Sequence, residues 1–461
     1  MSAELARQRY LQRHIEPDLP ACPTLAAPWR HVLVIPAYRE SASLLQNLAA
    51  LPAGNGPSLV ILVLNRPDSD PDQHANAALR TAAARLAATS PPHARLLIGT
   101  LNDHTDLYLH DLDNLVGPLP AARGVGLARK AGCDLAFRWI HEGAIDSQWI
   151  CSTDADAKLP ADYFLRLDAL ATGTRCPDQG RPQPVAAVYP FRHVPDTDRA
   201  SYSATLLYEL RLHHYVLGLA HAKSPYAYHT LGSCLAVKAD SYAQVRGFPR
   251  RAGGEDFYLL NKLAKLGPVI QLRGGCIELQ SRSSSRVPFG TGPAVDRIRL
   301  ALAAADASTA ATARGLKGLP QFYDPACFEA LRCFLAAVPA LRQFAATDLA
   351  RELENQLQAQ GLAPALARAC CQTALAMGLD GALAHCRRQG KSADQFLRQF
   401  HQWFDAFRTL KFIHGMRDAG WPLQNLQSLQ VSQPQLWPEA DNRGEVEPKL
   451  SAVLRHWGWE A

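Results

Sequence analysis

The chain is predicted to be an α/β protein: a mostly parallel sheet with helices on both faces, followed by an all-α C-terminal domain. Three observations carry this expectation. Short apolar runs alternate with helix-like stretches up to about residue 154. Those runs are apolar along their whole length, as buried parallel strands are, and lack the in-out alternation of a half-exposed sheet. From residue 294 onward β-rich runs stop, and long Ala/Leu/Gln/Arg stretches take over.

The elements follow in order. Residues 1–29 read as a polar lead-in closed by prolines. "HVLVIPAY" (31–38) is a short strand ended by Pro36, and a helix is expected from Ser41, whose hydroxyl can cap it. "SLVILVLN" (58–65) is a second strand, with the loop "RPDSDPD" behind it. An Ala-rich helix "NAALRTAAARLAA" precedes a third strand, "ARLLIGTL" (94–101), and "QWICSTD" (148–154) makes a fourth. The α/β domain is placed at 30–293, a helical domain at 294–430 and a Pro-containing tail at 431–461. In the helical part Phe396, Phe400, Trp403, Phe404, Phe407 and Leu410 fit one apolar stripe, with Asp405, Arg408, Lys411 and Arg417 beside it as an ion-pair-laced face.

At 461 residues more than one core is expected. Hydrophobic residues at 48% and charged ones at 20% suit a globular protein. A net charge of +6 fits a local phosphate site and is too small for a nucleic-acid footprint. The eleven cysteines include the adjacent Cys370 and Cys371 but no CxxC, which points to reduced thiols in a cytoplasm, with neither disulfide framework nor zinc site. The charged N-terminus lacks a signal-peptide core. The longest apolar run, "LVILVL", falls far short of the roughly 20 residues that span a bilayer. Any membrane contact is expected to be peripheral.

Four segments carry chemistry. "IPAYRES" ends the first strand; "ARGVGLARKAGCDLA" (122–136) runs a glycine pair into a basic helix start; "STDAD" closes the fourth strand; and "GFPRRAGGEDFYLLNKLAKLG" (247–267) leads two glycines to Glu255 and Asp256. Asp154 and Asp156, one residue apart at a strand end, read either as a polar turn or as ligands for a hard divalent cation. Ligands of open α/β sheets sit outside the carboxyl ends of the strands, which favours the cation. "GVGLAR" has two of the three glycines of a dinucleotide fingerprint and no strand leading into it, so the helix start is assigned to phosphate contact through Arg129 or Lys130. In "SRSSSRVPFGTGPA" (281–294), Arg282 and Arg286 with serines and glycines suit a phosphate group.

Taken in order, these segments resemble the family 2 glycosyltransferases and their GT-A fold relatives. The matching motifs are Pro36-Ala37-Tyr38-Arg39-Glu40, Gly124 through Lys130, the D-x-D of Asp154-Ala155-Asp156, the strand "LGSCLAVKADSYAQVRGF" and the acidic pair Glu255-Asp256, over roughly residues 30–290. The resemblance implies a GT-A domain and transfer of a sugar from a nucleoside-diphosphate sugar to an acceptor (glycan, lipid or small molecule), with inversion and with Mn²⁺ or Mg²⁺. It implies Asp156 as metal ligand, with Asp154 on the metal, its water or the ribose. Asp256 becomes the base and Glu255 its positioner. Pro36, Tyr38, Glu40, Asn65, Arg129, Asp154, Arg282 and Arg286 fall on the donor side.

A carboxylate at a helix N-terminus has its anion stabilised, so Asp256 is expected to be a weakened base. The pattern also breaks in places. The second strand ends "LNRPDSD" where the family carries paired aspartates, which leaves the base unassigned, and Arg39 stands for the usual Asn. His229 and His414, candidate further metal ligands, read as packed core residues. Two rival functions remain: a catalytically inactive sugar-nucleotide-binding or scaffold protein, and a sugar nucleotidyltransferase. The latter needs a glycine loop that "PAYRESAS" lacks.

Overall fold

The computed structural model describes residues 3–88, 98–171, 183–195, 198–281, 291–306, 321–344, 347–426 and 428–429. The chain forms two compact units. One is built from the described residues of Met1–Thr205 and Thr230–Asp296, the other from those of Leu206–His229 and Arg297–Val453.

The described residues of the first unit form eleven strands: β1 (His31–Ala37), β2 (Ser58–Leu64), β3 (Ile98–Asn102), β4 (Thr105–Asp111), β5 (Trp149–Ser152), β6 (Ala157–Lys158), β7 (Ala186–Val188), β8 (Phe191–Val194), β9 (Leu235–Lys238), β10 (Val269–Gln271) and β11 (Ile277–Gln280). Eight of them form one mostly parallel sheet in the order β10-β7-β9-β5-β1-β2-β4-β3. Strands β4, β2, β1 and β5 run parallel, while β9 and the edge strand β3 run the other way. A second sheet has the order β6-β11-β8. The expected α/β class with a mostly parallel sheet is what the chain adopts.

The central strands are where the apolar runs placed them. Every residue of β1 and β2 is buried, as strands covered on both faces require. The helix Gly124–His141 lies directly over them: a Cβ on Gly132 would sit 2.5 Å from Val34 Cγ1 and 2.7 Å from Val63 Cγ2.

Two local expectations fail. The helix after β1 begins at Leu44, and its N-cap residue Ser43 makes no side-chain cap bond. The Ser41 hydroxyl instead pairs with that of Ser43 at 2.5 Å. Strand β4, "TDLYLHD", escaped the sequence reading because Asp106 and His110 interrupt its apolar pattern. It is nonetheless paired along its whole length with β2.

The second unit is packed from helices, among them Pro325–Ala337, Leu349–Ala359, Pro364–Ala376, Leu379–Gln389, Ala393–Trp403 and Ala406–Asp418. Phe334, Phe400, Phe404 and Phe412 form its aromatic centre, with Phe334 and Phe412 stacked at 5.3 Å. The single stripe expected from Phe396 to Leu410 is in fact split between two helices. Asp405 accepts from Arg408 N and caps a new helix, so the register restarts. Phe407 is turned outward at 41% exposure, with Lys411 over its ring. Nor does the expected charged face form as one surface: Asp405 is buried, Arg408 covers Trp403, and Arg417 pairs with Asp418.

Candidate functional site

Residues of four of the expected motifs come together at the carboxyl ends of the central strands, within the first unit. Pro36 helps to open this end. The Val34 carbonyl accepts from Thr153 N at 3.1 Å, so Val34 faces β5. Pro36, two residues on, turns the same edge toward β5 but has no N–H to offer. The pairing of β1 with β5 stops at Val34 and Ser152. Beyond that point the chain leaves the sheet and turns at Asp154–Ala157, where Ala157 N donates to the Asp154 carbonyl. Asp154 and Asp156 are both half-buried on this turn.

The helix Gly124–His141 brings its first turn to the same place. Gly126 is needed for this: its N–H donates to the Arg251 carbonyl at 3.0 Å, and a Cβ there would lie 2.4 Å from that oxygen. The contact fixes the helix start beside the loop that leads into Glu255 and Asp256. Arg129, one turn further, is 2% exposed. Its guanidinium donates from Nε to Glu255 Oε1 at 3.2 Å and from Nη2 to Asp154 Oδ1 at 2.7 Å. Nη1 donates to Ser152 Oγ at 2.6 Å and to the Gly232 carbonyl at 3.0 Å. Gly232 permits that approach, since a Cβ would stand 2.6 Å from Arg129 Nη2.

Glu255 and Asp256 open the helix Glu255–Leu263, whose N-cap is the left-handed Gly254. Asp256 is therefore not the cap. Glu255 is buried, and Asp256 is half-buried with Oδ1 accepting from Phe257 N at 2.6 Å. Burial, then the adjacent Glu255 charge, pushes the Asp256 carboxyl up to about 7, against the pull of the Phe257 N–H and of Arg129. The expectation that a helix N-terminus would lower its basicity is overturned. One N–H does not offset desolvation together with a neighbouring carboxylate.

Tyr38 and Asn65 lie at the same end, in a network the sequence did not reveal. Tyr38 OH donates to Asp70 Oδ2 at 2.6 Å, and Arg39 grips the same carboxylate at 2.9 and 2.7 Å. Arg39 is held in the left-handed region at φ 56°, with its N–H on Asn76 Oδ1 at 3.1 Å. Asn76 in turn donates to the Asn65 carbonyl at 3.0 Å. Beneath them Arg66 pairs with the buried Asp113 at 3.0 Å. These partners sit tens of residues apart, and only the order β1-β2-β4 makes them neighbours. Glu40 is half-buried near this network.

Other expected residues are elsewhere. Lys130 points away from Arg129 into a buried cluster, donating to Asp134 Oδ2 at 2.6 Å, Tyr10 OH at 2.9 Å and the His14 carbonyl at 2.9 Å. It is not placed to meet a phosphate. Arg282 and Arg286 lie outside the described residues. His229 and His414 belong to the second unit, His229 against His213 at 3.2 Å and His414 against Tyr323 OH at 2.8 Å. Among the described residues no group of three or more His, Cys, Asp or Glu side chains converges as a metal site. No helix among them is long and apolar enough to cross a membrane, and no cysteine among them is in a disulfide.

No protein-family model and no curated protein matches the chain. Among solved structures, a mannosyltransferase from Pyrobaculum calidifontis, in complex with GDP-Man and Mn²⁺, is similar over 91% of this chain and 94% of its own, at 17% identity and a TM-score of 0.33. S. aureus TarS is similar over 78% of this chain and 56% of its own, at 13% identity and a TM-score of 0.34. Likenesses at this level assign no activity to this chain.

Proposed function

We propose that the chain is an inverting GT-A glycosyltransferase, which moves a sugar from a nucleoside-diphosphate sugar to an acceptor hydroxyl. Its GT-A domain spans 30–293, a helical domain follows at 294–430, and its free energy of transfer comes from the donor bond. The observation that carries this reading is the meeting of Asp154 and Glu255 on one buried arginine, with Asp256 beside them held at about 7.

Asp256 is the base. A carboxyl at about 7 is matched to accepting a proton from a hydroxyl near neutral pH. Glu255 raises that basicity by its charge and is itself fixed by Arg129. Tyr38, Asn65 and Glu40 line the donor side at the ends of β1 and β2, and Pro36 keeps the gap beside β5 open. Asp154 and Asp156 would hold the divalent cation. Two half-exposed carboxylates are few for a cation held by protein alone, and they suit Mn²⁺ or Mg²⁺ that takes further ligands from phosphate oxygens and water. Bound there, such a cation neutralises charge on the departing diphosphate as a Lewis acid. The cysteines, scattered without CxxC spacing, suit a reducing compartment such as the cytoplasm.

The test is calorimetric titration of UDP, GDP, CDP and dTDP into the purified protein, with and without Mn²⁺. One of the four is expected to bind in an Mn²⁺-dependent way, with the signal lost in Asp156→Ala. A well-folded protein that binds none of them overturns the donor site at Asp154 and Asp156.

A further inference from the structure

Arg129 carries two carboxylates that belong to different motifs. Asp154 lies on the turn after strand β5 and Glu255 opens a helix 101 residues later in the chain, yet each takes a separate nitrogen of the same guanidinium, at 2.7 and 3.2 Å. The remaining nitrogen is spent on Ser152 Oγ and the Gly232 carbonyl. Four of its five N–H groups are thereby engaged, and the residue is 2% exposed, so its charge is spent within the protein.

We infer that Arg129 is a positioning residue that couples the donor carboxylate Asp154 to the base-side carboxylate Glu255, so that a change of charge at one is felt at the other. The inference rests on the transferase reading above. Its physical basis is the sharing of one buried positive charge. The Glu255 side chain is 6% exposed and that of Arg129 3%, whereas that of Asp154 is 42% exposed. Solvent therefore screens the Asp154 end and leaves the Glu255 end in a low dielectric, where charges act more strongly. If Glu255 loses its charge, Arg129 is no longer balanced from that side, and its positive charge bears more fully on Asp154. A cation at Asp154 is then held less well, while a bare anion is held no worse. A lysine cannot stand in, because one ammonium has no planar fork with which to span Ser152, Asp154 and Glu255 together.

The experiment is calorimetry with whichever of the four nucleoside diphosphates the wild type binds, with and without Mn²⁺, on Glu255→Gln and Arg129→Lys, with Tm measured alongside. Glu255→Gln is expected to weaken the Mn²⁺-dependent affinity about threefold or more and to leave the Mn²⁺-free affinity undiminished. Arg129→Lys should weaken the Mn²⁺-dependent affinity about tenfold or more. An unchanged Mn²⁺-dependent affinity in folded Glu255→Gln overturns the coupling. So does an equal loss with and without Mn²⁺, which marks plain structural damage. If Arg129→Lys does not fold, Glu255→Gln decides alone. A wild type that binds no nucleotide overturns the transferase reading and this inference together; a wild type that binds, with a variant that changes nothing, overturns only the coupling.

Discussion

Arg129 and Lys130 are consecutive residues of one helix, and each is a buried cation among carboxylates. They point to opposite fates. Lys130 meets Asp134, which is wholly buried and is also bonded by Tyr10 OH at 2.5 Å, Tyr242 OH at 2.7 Å and Glu16 N at 2.8 Å. That cluster is closed, and it ties the N-terminal helix Ala3–Arg13 to the sheet domain. Arg129 meets the buried Glu255 and the half-exposed Asp154, with Asp256 half-buried next to Glu255, so this cluster is open at one end. The same pairing of charges serves architecture where it is sealed and suits chemistry where it is not.

Four measurements would break or sharpen that contrast. The largest effect is expected at the open cluster. Asp256→Asn should lower sugar transfer by about 10³-fold or more while leaving nucleotide affinity unchanged in calorimetry; transfer within tenfold of wild type would remove Asp256 as the base. At the closed cluster, Lys130→Met should cost about 3–5 kcal/mol in urea unfolding, because it strands a buried carboxylate. A loss under 1 kcal/mol would show that the cluster does not tie the N-terminal helix to the sheet domain.

The third separates the clusters by pH. A carboxyl whose folded pKa lies above its ordinary value contributes stability that is present at low pH and lost as pH rises through the folded value. For Asp256 that value is about 7. Asp256→Asn should therefore raise Tm at pH 8, by about 2–4 °C, and by much less at pH 5, where the carboxyl is already protonated. Equal shifts at both pH values would contradict the raised pKa. The smallest effect is Tyr242→Phe, which removes one hydroxyl from the closed cluster. It should cost about 1.5 kcal/mol with nucleotide affinity untouched, and a change in affinity would mean that the two clusters are not separate.

The fold was more legible in the sequence than the site was. "HVLVIPA" and "SLVILVL" announce β1 and β2 because burial on both faces leaves an uninterrupted apolar run. "TDLYLHD" did not announce β4, since the polar Asp106 and His110 break the run; within the fold Asp106 accepts from Trp29 Nε1 at 2.8 Å. In the second unit the aromatic spacing reported helix and burial but missed the cap at Asp405, because a cap depends on one local hydrogen bond that periodicity does not register.

By itself, then, the sequence determined the α/β class, the places of the central strands and the positions of its acidic pairs relative to strand and helix ends. These follow from hydrophobic pattern and turn chemistry, which are local in the chain. Tertiary structure decided which of two adjacent cations faces the half-exposed Asp154, that Asp154 and Glu255 share Arg129, that Asp70 and Asn76 knit the ends of β1 and β2, and that burial holds the Asp256 carboxyl above the value its helix terminus predicts. Each of these is a property of charges and hydrogen bonds summed over neighbours in space. The groups that set the Asp256 carboxyl include Arg129 and Asp154 as well as the adjoining Glu255, and only the folded sheet brings the first two within reach.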